Sequence, residues 1–260
     1  MLTYLECPKC GQVLPPGEQN ADTACPSCGL ILAKYGTPLV RRQPSDNTQL
    51  ESSEKTSFLA IWLFHVPRQV AKINWIGRCV TFTVFSVWTI FIWHQAKIPA
   101  GEAGSVFLHT ILLPFHEAGH YAIFRWFGEF IMILGGTLAQ HLMPIVLGVA
   151  LLYKRRDPFG AALFLWLLGF SIIDMAVYMY DAYDPKIMLL GGKTGAESDS
   201  HDWMNIFGQL GLINQARMIG SFFDWLGRAV MFLALVWAGI MLWLQKANLS
   251  DAPLAEMGDD

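Results

Sequence analysis

Charge is scarce in this chain. Only 15% of the 260 residues are charged, and 18 basic side chains against 21 acidic ones leave a net charge of −3. So small a balance supplies no field for nucleic acid or a strongly acidic substrate, and no nucleic-acid partner is expected. Internal repeats, low-complexity tracts, a phosphate-binding glycine loop and a Ser-His-Asp order are also missing. The seven histidines include no adjacent pair, which argues against the histidine boxes of a membrane di-iron oxidase. The opening MLTYLECPKC has neither the basic start nor the long apolar core of a secretory leader, so the N-terminus is expected in the cytosol.

Apolar surface takes the place of charge. The chain is 53% hydrophobic and 13% aromatic, with a mean hydropathy of +0.37, and a lipid bilayer is its expected surrounding. Apolar runs at 76–94, 105–128, 130–153, 159–183 and 222–246 each approach the roughly 20 residues needed to cross a bilayer. The expected fold class is mainly α, a polytopic transmembrane helical bundle of about five spans with a small N-terminal zinc ribbon. Residues 1–36 form the ribbon, 37–57 a polar flexible linker, 58–250 the membrane domain and 251–260 an acidic tail. Segment 58–75, with Trp62 and Trp75 near its ends and Arg68 and Lys72 one helical turn apart, suits the headgroup layer. Basic residues favour the cytosolic side, so Arg68, Lys72 and Arg78 put 95–104 outside. Five spans then leave KRRD (154–157) outside, against that rule, unless the run with Gly135, Gly136 and Pro144 re-enters the face it left.

Four of the five cysteines, Cys7, Cys10, Cys25 and Cys28, fall in CPKC and CPSC. Each Cys-x-x-Cys knuckle turns two thiolates toward one point, and two knuckles close a tetrahedral site for Zn2+. Gly11 and Gly29 follow the knuckles, where a left-handed backbone is often needed. The segment resembles a zinc ribbon over residues 5–36. With four protein ligands its ion is structural, and cytosolic thiols stay reduced, which disfavours two disulfides. Cys79 reads as a small buried side chain.

The chemistry-bearing motif is HEAGH, an H-E-x-x-H of His116, Glu117 and His120. On a helix the two histidines share a face and bind one metal, while the glutamate reaches the attacking water as general base. Each ionisable group at mid-bilayer costs about 2.5–3.5 kcal/mol, so three within five residues call for a metal or an aqueous cavity. A polar interface between helices, with no metal, is the plainer alternative. Here the chain resembles the intramembrane zinc metalloproteases of the site-2 protease group: HExxH in an apolar helix, a glycine-rich segment after it (ILGGTLAQHLMP, 133–144) and an acid two spans later. The likeness covers residues 105–184. It implies His116 and His120 as zinc ligands, Glu117 as the base and Asp174 as third ligand. The group sets its aspartate before glycine, whereas this chain has SIIDMAVY. The HDW segment (201–203), with the ribbon, HEAGH and DMAVYMYDAYD, is also similar to a set of bacterial membrane proteins assigned to that protease group. That likeness implies an integral protein of a bacterial inner (cytoplasmic) membrane.

Depth favours Asp174 as third ligand, since it and His120 both lie 15 residues into their expected spans, about 22 Å at roughly 1.5 Å per residue. His201 and Asp202 remain the alternative, as ligand or as support behind the ligands; their plainer reading is the start of an interfacial helix. Tyr178 and Asp181 share a face with Asp174 and are candidates for a polar cavity. His109 and His141 are further cavity candidates, with Gln140 beside His141 a contact for an extended substrate. The expected activity is hydrolysis of peptide bonds in or near transmembrane segments of a membrane protein substrate. It uses two Zn2+ ions, one catalytic and one structural, and an adaptor or substrate docks at the ribbon. The non-enzymatic alternative is a catalytically silent, metal-stabilised membrane scaffold or assembly subunit.

Overall fold

A computed structural model describes residues 6–7, 9–14, 23–32, 58–96, 98, 107–198 and 200–250. The linker 37–57 and the tail 251–260 lie outside the described residues. Two units divide the chain, Met1–Thr56 and Ser57–Asp260.

In the first unit the two knuckles repeat one backbone design. Cys7 N–H donates to the Gln12 carbonyl at 2.8 Å and Gly11 N–H to the Cys7 carbonyl at 2.9 Å; Cys25 with Leu30 and Gly29 with Cys25 do the same at 2.9 and 2.8 Å. Gly11 and Gly29 take φ values of 72° and 67°, as the knuckle turn requires. Antiparallel bridges Glu6 to Val13 and Ala24 to Ile31 close each knuckle, and Leu14 and Leu32 pack with Cys7 and Cys25 as its core.

The second unit is helical, with α1 (Phe58–Leu63), α2 (Lys72–Gln95), α3 (Phe107–Ala118), α4 (Glu129–Ala150), α5 (Pro158–Asp181), α6 (Asp202–Leu210) and α7 (Ala216–Lys246). Strands β1 (Val70–Ala71) and β2 (Leu249–Ser250) pair in parallel where the chain enters and leaves this unit. Among the described residues, four helical stretches are long and apolar enough to cross a membrane: Lys72–Gln95, Glu129–Arg155, Pro158–Asp181 and Ile213–Lys246. The expected fifth span does not form as one long helix. Over that stretch, α3 contains Pro114, passes into a π turn at Gly119–Ile123 and ends in a 3-10 turn at Arg125–Phe127. Proline removes one backbone hydrogen bond of the helix, and the π turn changes its winding just at the HEAGH motif.

Helix α5 lies at the centre and is mostly buried, whereas α2 is mostly exposed. It meets α7 through small residues. A Cβ on Gly169 would stand 2.7 Å from Met231 N, and one on Gly227 2.7 Å from the Gly169 carbonyl oxygen, so the backbones touch as membrane helices do at small-residue seams. Ile92, Leu108, Leu112, Trp166, Phe170 and Ile173 fill the space among α2, α3 and α5. Within α7, Arg228 pairs with Asp224 at 2.8 Å and donates to the Trp93 and Ala96 carbonyls at 3.1 and 2.6 Å, capping the carboxyl end of α2. Exposed Val80, Val84, Ile90, Val146, Phe232 and Trp243 cover the outside, as lipid-facing helices require.

The KRRD loop has a definite neighbour. Arg78 in the second turn of α2 pairs with Asp157 at 3.2 Å, and Arg156 lies over the Trp62 ring, 5.6 Å from its centroid. The loop therefore stands beside the start of α2, at the same end of the bundle. The conflict over these basic residues came from counting 105–128 as a full crossing.

Candidate metal centre

The α3 helix delivers His116 in its last turn, and the π turn delivers His120. Their Nε2 atoms face one another at 3.0 Å. The third atom is Oδ2 of Asp202, at 3.0 Å from His116 Nε2 and 3.3 Å from His120 Nε2.

Hydrogen bonds behind the rings decide which nitrogen carries the proton. The Met132 carbonyl can only accept, so His120 Nδ1, 2.8 Å away, must donate to it, and Nε2 keeps its lone pair. For His116 the logic runs one residue further. Asp174 only accepts when ionised, so the Gln140 amide nitrogen turns to it at 2.9 Å; Oε1 of Gln140 then faces His116 Nδ1 at 3.0 Å and receives its proton. Two imidazole Nε2 atoms and a carboxylate oxygen thus converge, and either a metal ion or a proton on one ring satisfies them. A tetrahedral ion bound at about 2.0–2.1 Å places its ligands about 3.3 Å apart, close to the distances found. Gly136 stands beneath the nitrogens: a Cβ there would lie 2.7 Å from His116 Nε2 and closer to His120 Nε2. His116, His120 and Asp202 make up a group capable of holding one metal ion.

Asp202 is delivered by its own neighbours. His201 is the N-cap of α6, its Nδ1 accepting from Met204 N–H at 3.1 Å, which leaves Nε2–H to donate to Asp181 Oδ2 at 3.3 Å. The His201 ring is fully buried and rests on the Tyr178 ring, with centroids 4.1 Å apart. The Tyr178 hydroxyl accepts from Asp202 N–H at 3.2 Å, and Asp181 also receives Lys186 N–H at 2.9 Å. Tyr178, Asp181 and His201 therefore hold the aspartate in register rather than joining the metal group.

Asp174 stands outside this group. Its carboxylate sits with His109 Nδ1, at 2.9 and 3.1 Å, and with Gln140. Its expected depth is right, but the Gln140 side chain fills the space between it and the histidines. His141 also departs from the expectation: its Nδ1 donates to the Thr137 carbonyl one turn back at 2.7 Å, and it does not line the cavity. That cavity, of about 1070 Å3, is lined by His116, Glu117, His120 and Asp202, and by Tyr178, Asp181 and His109. It is large enough for a peptide segment. Gln140, expected as a substrate contact, lines the cavity and uses both ends of its amide on Asp174 and His116, orienting the His116 ring. The sequence reading missed Met132 and the place of Gly136 beneath the two histidines. Met132, Gly136 and Gln140 recur every four residues, and that spacing marks the α4 face turned to HEAGH.

In the first unit the four cysteine sulfurs lie within 4.8 Å of one another, and all are free of disulfides. Cys7 to Cys28 is 3.6 Å and Cys10 to Cys25 is 3.8 Å. Those distances suit a tetrahedral ion with metal–sulfur bonds of about 2.3 Å, whose edges are about 3.8 Å. Burial works against ionising Cys7, yet the backbone N–H groups of Cys10 and Lys9 hold its thiol down at about 6. The cluster is capable of binding one ion.

No protein-family model, no curated protein and no solved structure matches this chain.

Proposed function

We propose that this chain is an intramembrane zinc metalloprotease of the site-2 protease type, hydrolysing peptide bonds in or near transmembrane segments of another membrane protein. One observation carries the reading: the Nε2 atoms of His116 and His120 and the Asp202 carboxylate converge in a cavity that Glu117 also lines. Zinc bound there would polarise a carbonyl and lower the pKa of water to about 7. Glu117, next to His116 in the chain, takes the proton of the attacking water and returns it to the leaving amine. Gln140 and the Met132 carbonyl keep the two rings in the tautomer that leaves Nε2 free. The cysteine cluster holds a structural zinc, and the ribbon around it is the docking point for substrate or an adaptor.

Glu117→Gln tests the reading, because the amide preserves size while losing the base. The variant should retain its metal and stability but lose cleavage by about 10²–10⁴-fold. Membrane proteins that persist at full length in cells carrying Glu117→Gln, and disappear when the native residue returns, are the expected result. Full complementation of a deletion by Glu117→Gln, with no accumulating protein, refutes the protease and leaves the scaffold.

A further inference from the structure

The two ends of the membrane unit are chemically unlike. Arg78 binds Asp157, so Lys154, Arg155 and Arg156 stand beside the start of α2. Trp75 Nε1–H donates to the Leu242 carbonyl at 3.0 Å, which brings the end of α7, with Lys246, to that same end. The chain enters there too: the Trp62 ring of α1 stacks on Tyr153 at 5.5 Å, and Trp237 Nε1–H donates to the Leu63 carbonyl at 2.9 Å. Basic residues thus gather where α2 begins, where α4 meets α5 and where α7 ends.

The metal group is built at the opposite end. Helix α5 leaves the basic end at Pro158, and Asp202 lies in the 182–215 connection that follows its far end. At about 1.5 Å per residue, Asp174 is about 24 Å and Tyr178, which holds Asp202, about 30 Å from Pro158. The hydrocarbon core is itself about 30 Å thick. The cavity is walled at this end by Asp184, Lys186, Leu190, Asn205 and Arg217. Cations are fewer there: Arg125, Lys186, Lys193 and Arg217 in the described segments, against Arg68, Lys72, Arg78, Lys154, Arg155, Arg156 and Lys246 at the basic end. Short loops rich in lysine and arginine stay in the cytosol.

We infer that the metal centre opens to the non-cytosolic side of the membrane. Resting on the protease reading above, its substrate is a peptide segment at the non-cytosolic end of another protein's span. The basic end, where the chain enters, faces the cytosol.

Cysteine labelling of the full-length protein in intact cells tests this, with the native chain as baseline for its own five thiols. Lys193 and Arg155 are both exposed and lie at opposite ends of α5. A membrane-impermeant maleimide should modify Lys193→Cys in intact cells, and Arg155→Cys only after the membrane is opened. A second pair, Leu190→Cys and Lys154→Cys, should repeat the pattern. The reverse pattern, or equal labelling of both positions in intact cells, overturns the inference. Labelling needs neither metal nor cleavage, so the two readings fail separately. Reversed labelling with Glu117-dependent cleavage intact sinks the sidedness alone, while a fully active Glu117→Gln with the expected labelling sinks the protease alone.

Discussion

Gly136→Ala should separate the metal from the fold. A Cβ at Gly136 stands 2.7 Å from Nε2 of His116 and closer to Nε2 of His120. Non-bonded heavy atoms need about 3.5 Å, so each ring must retreat by roughly 1 Å. Behind them the rings are held by Gln140 at 3.0 Å and the Met132 carbonyl at 2.8 Å. Giving up both bonds costs about 1–3 kcal/mol. Replacing glycine by alanine inside a helix returns about 0.5–1 kcal/mol. The balance is a net cost of at most about 2.5 kcal/mol, so the melting temperature of the metal-free protein in detergent should fall by no more than about 5–10 °C. Metal binding has no such compensation. Rings displaced by that much cannot both keep bonds of about 2.0–2.1 Å, and affinity should fall by more than the roughly 10–100-fold that losing an outer partner costs. Elemental analysis of the purified full-length protein after passage over a chelating resin, beside a thermal melt, reads both effects. The expected result is one zinc per chain, that of the cysteine cluster, with a cooperative melt lowered, in the metal-free state, by no more than that. A Gly136→Ala protein that still holds two zinc ions refutes the placement of an ion between the two Nε2 atoms.

Other changes should sort the remaining groups. Asp202→Asn should abolish zinc at the membrane site, whereas Asp174→Asn, one side chain removed, should weaken it by about 10–100-fold and leave it measurable at high zinc; equal and complete loss in both would return Asp174 to the ligand set. Cys7→Ser with Cys25→Ser should lower the zinc count from two to one and leave the membrane site filled, as elemental analysis would show. Arg228→Met leaves Asp224 unpaired, at 11% side-chain exposure, and two helix-end carbonyls without their donor. A cost of about 3–5 kcal/mol, seen as a lower melting temperature in detergent, is expected.

Local spacing was legible, and lateral packing was not. Two knuckles at matched Cys-x-x-Cys spacing announce a four-sulfur cluster, because ligand geometry within a knuckle is set by a few backbone bonds. HEAGH likewise announces its two histidines, since residues four apart on a helix share a face whatever surrounds it. The third member of the group belongs to another segment. Depth along a helix placed Asp174 at the right level, but level is one coordinate, and Gln140 occupies the lateral gap. Asp202 comes instead from a connection between helices, where no period announces it; its signal was the short stretch HDW after a glycine-rich hairpin.

The span count went astray for a related reason. Hydropathy counts apolar residues and does not see backbone winding. Run 105–128 is apolar enough to cross, but it contains Pro114 and turns into a π segment at Gly119, where it packs so closely on α4 that a Cβ at Gly119 would meet the Ala139 side chain at 2.8 Å. That close approach brings His120 to Met132 and His116 to Gln140. One fewer long helix then reverses the direction assigned to α4, and the basic loop that contradicted the charge rule falls beside Arg78, where Asp157 neutralises part of its charge. The departure from a straight span and the assembly of the metal group are consequences of one packing choice, small residues at 119, 135 and 136. Any substitution that restores a regular helix there should weaken the metal group as it lengthens the helix.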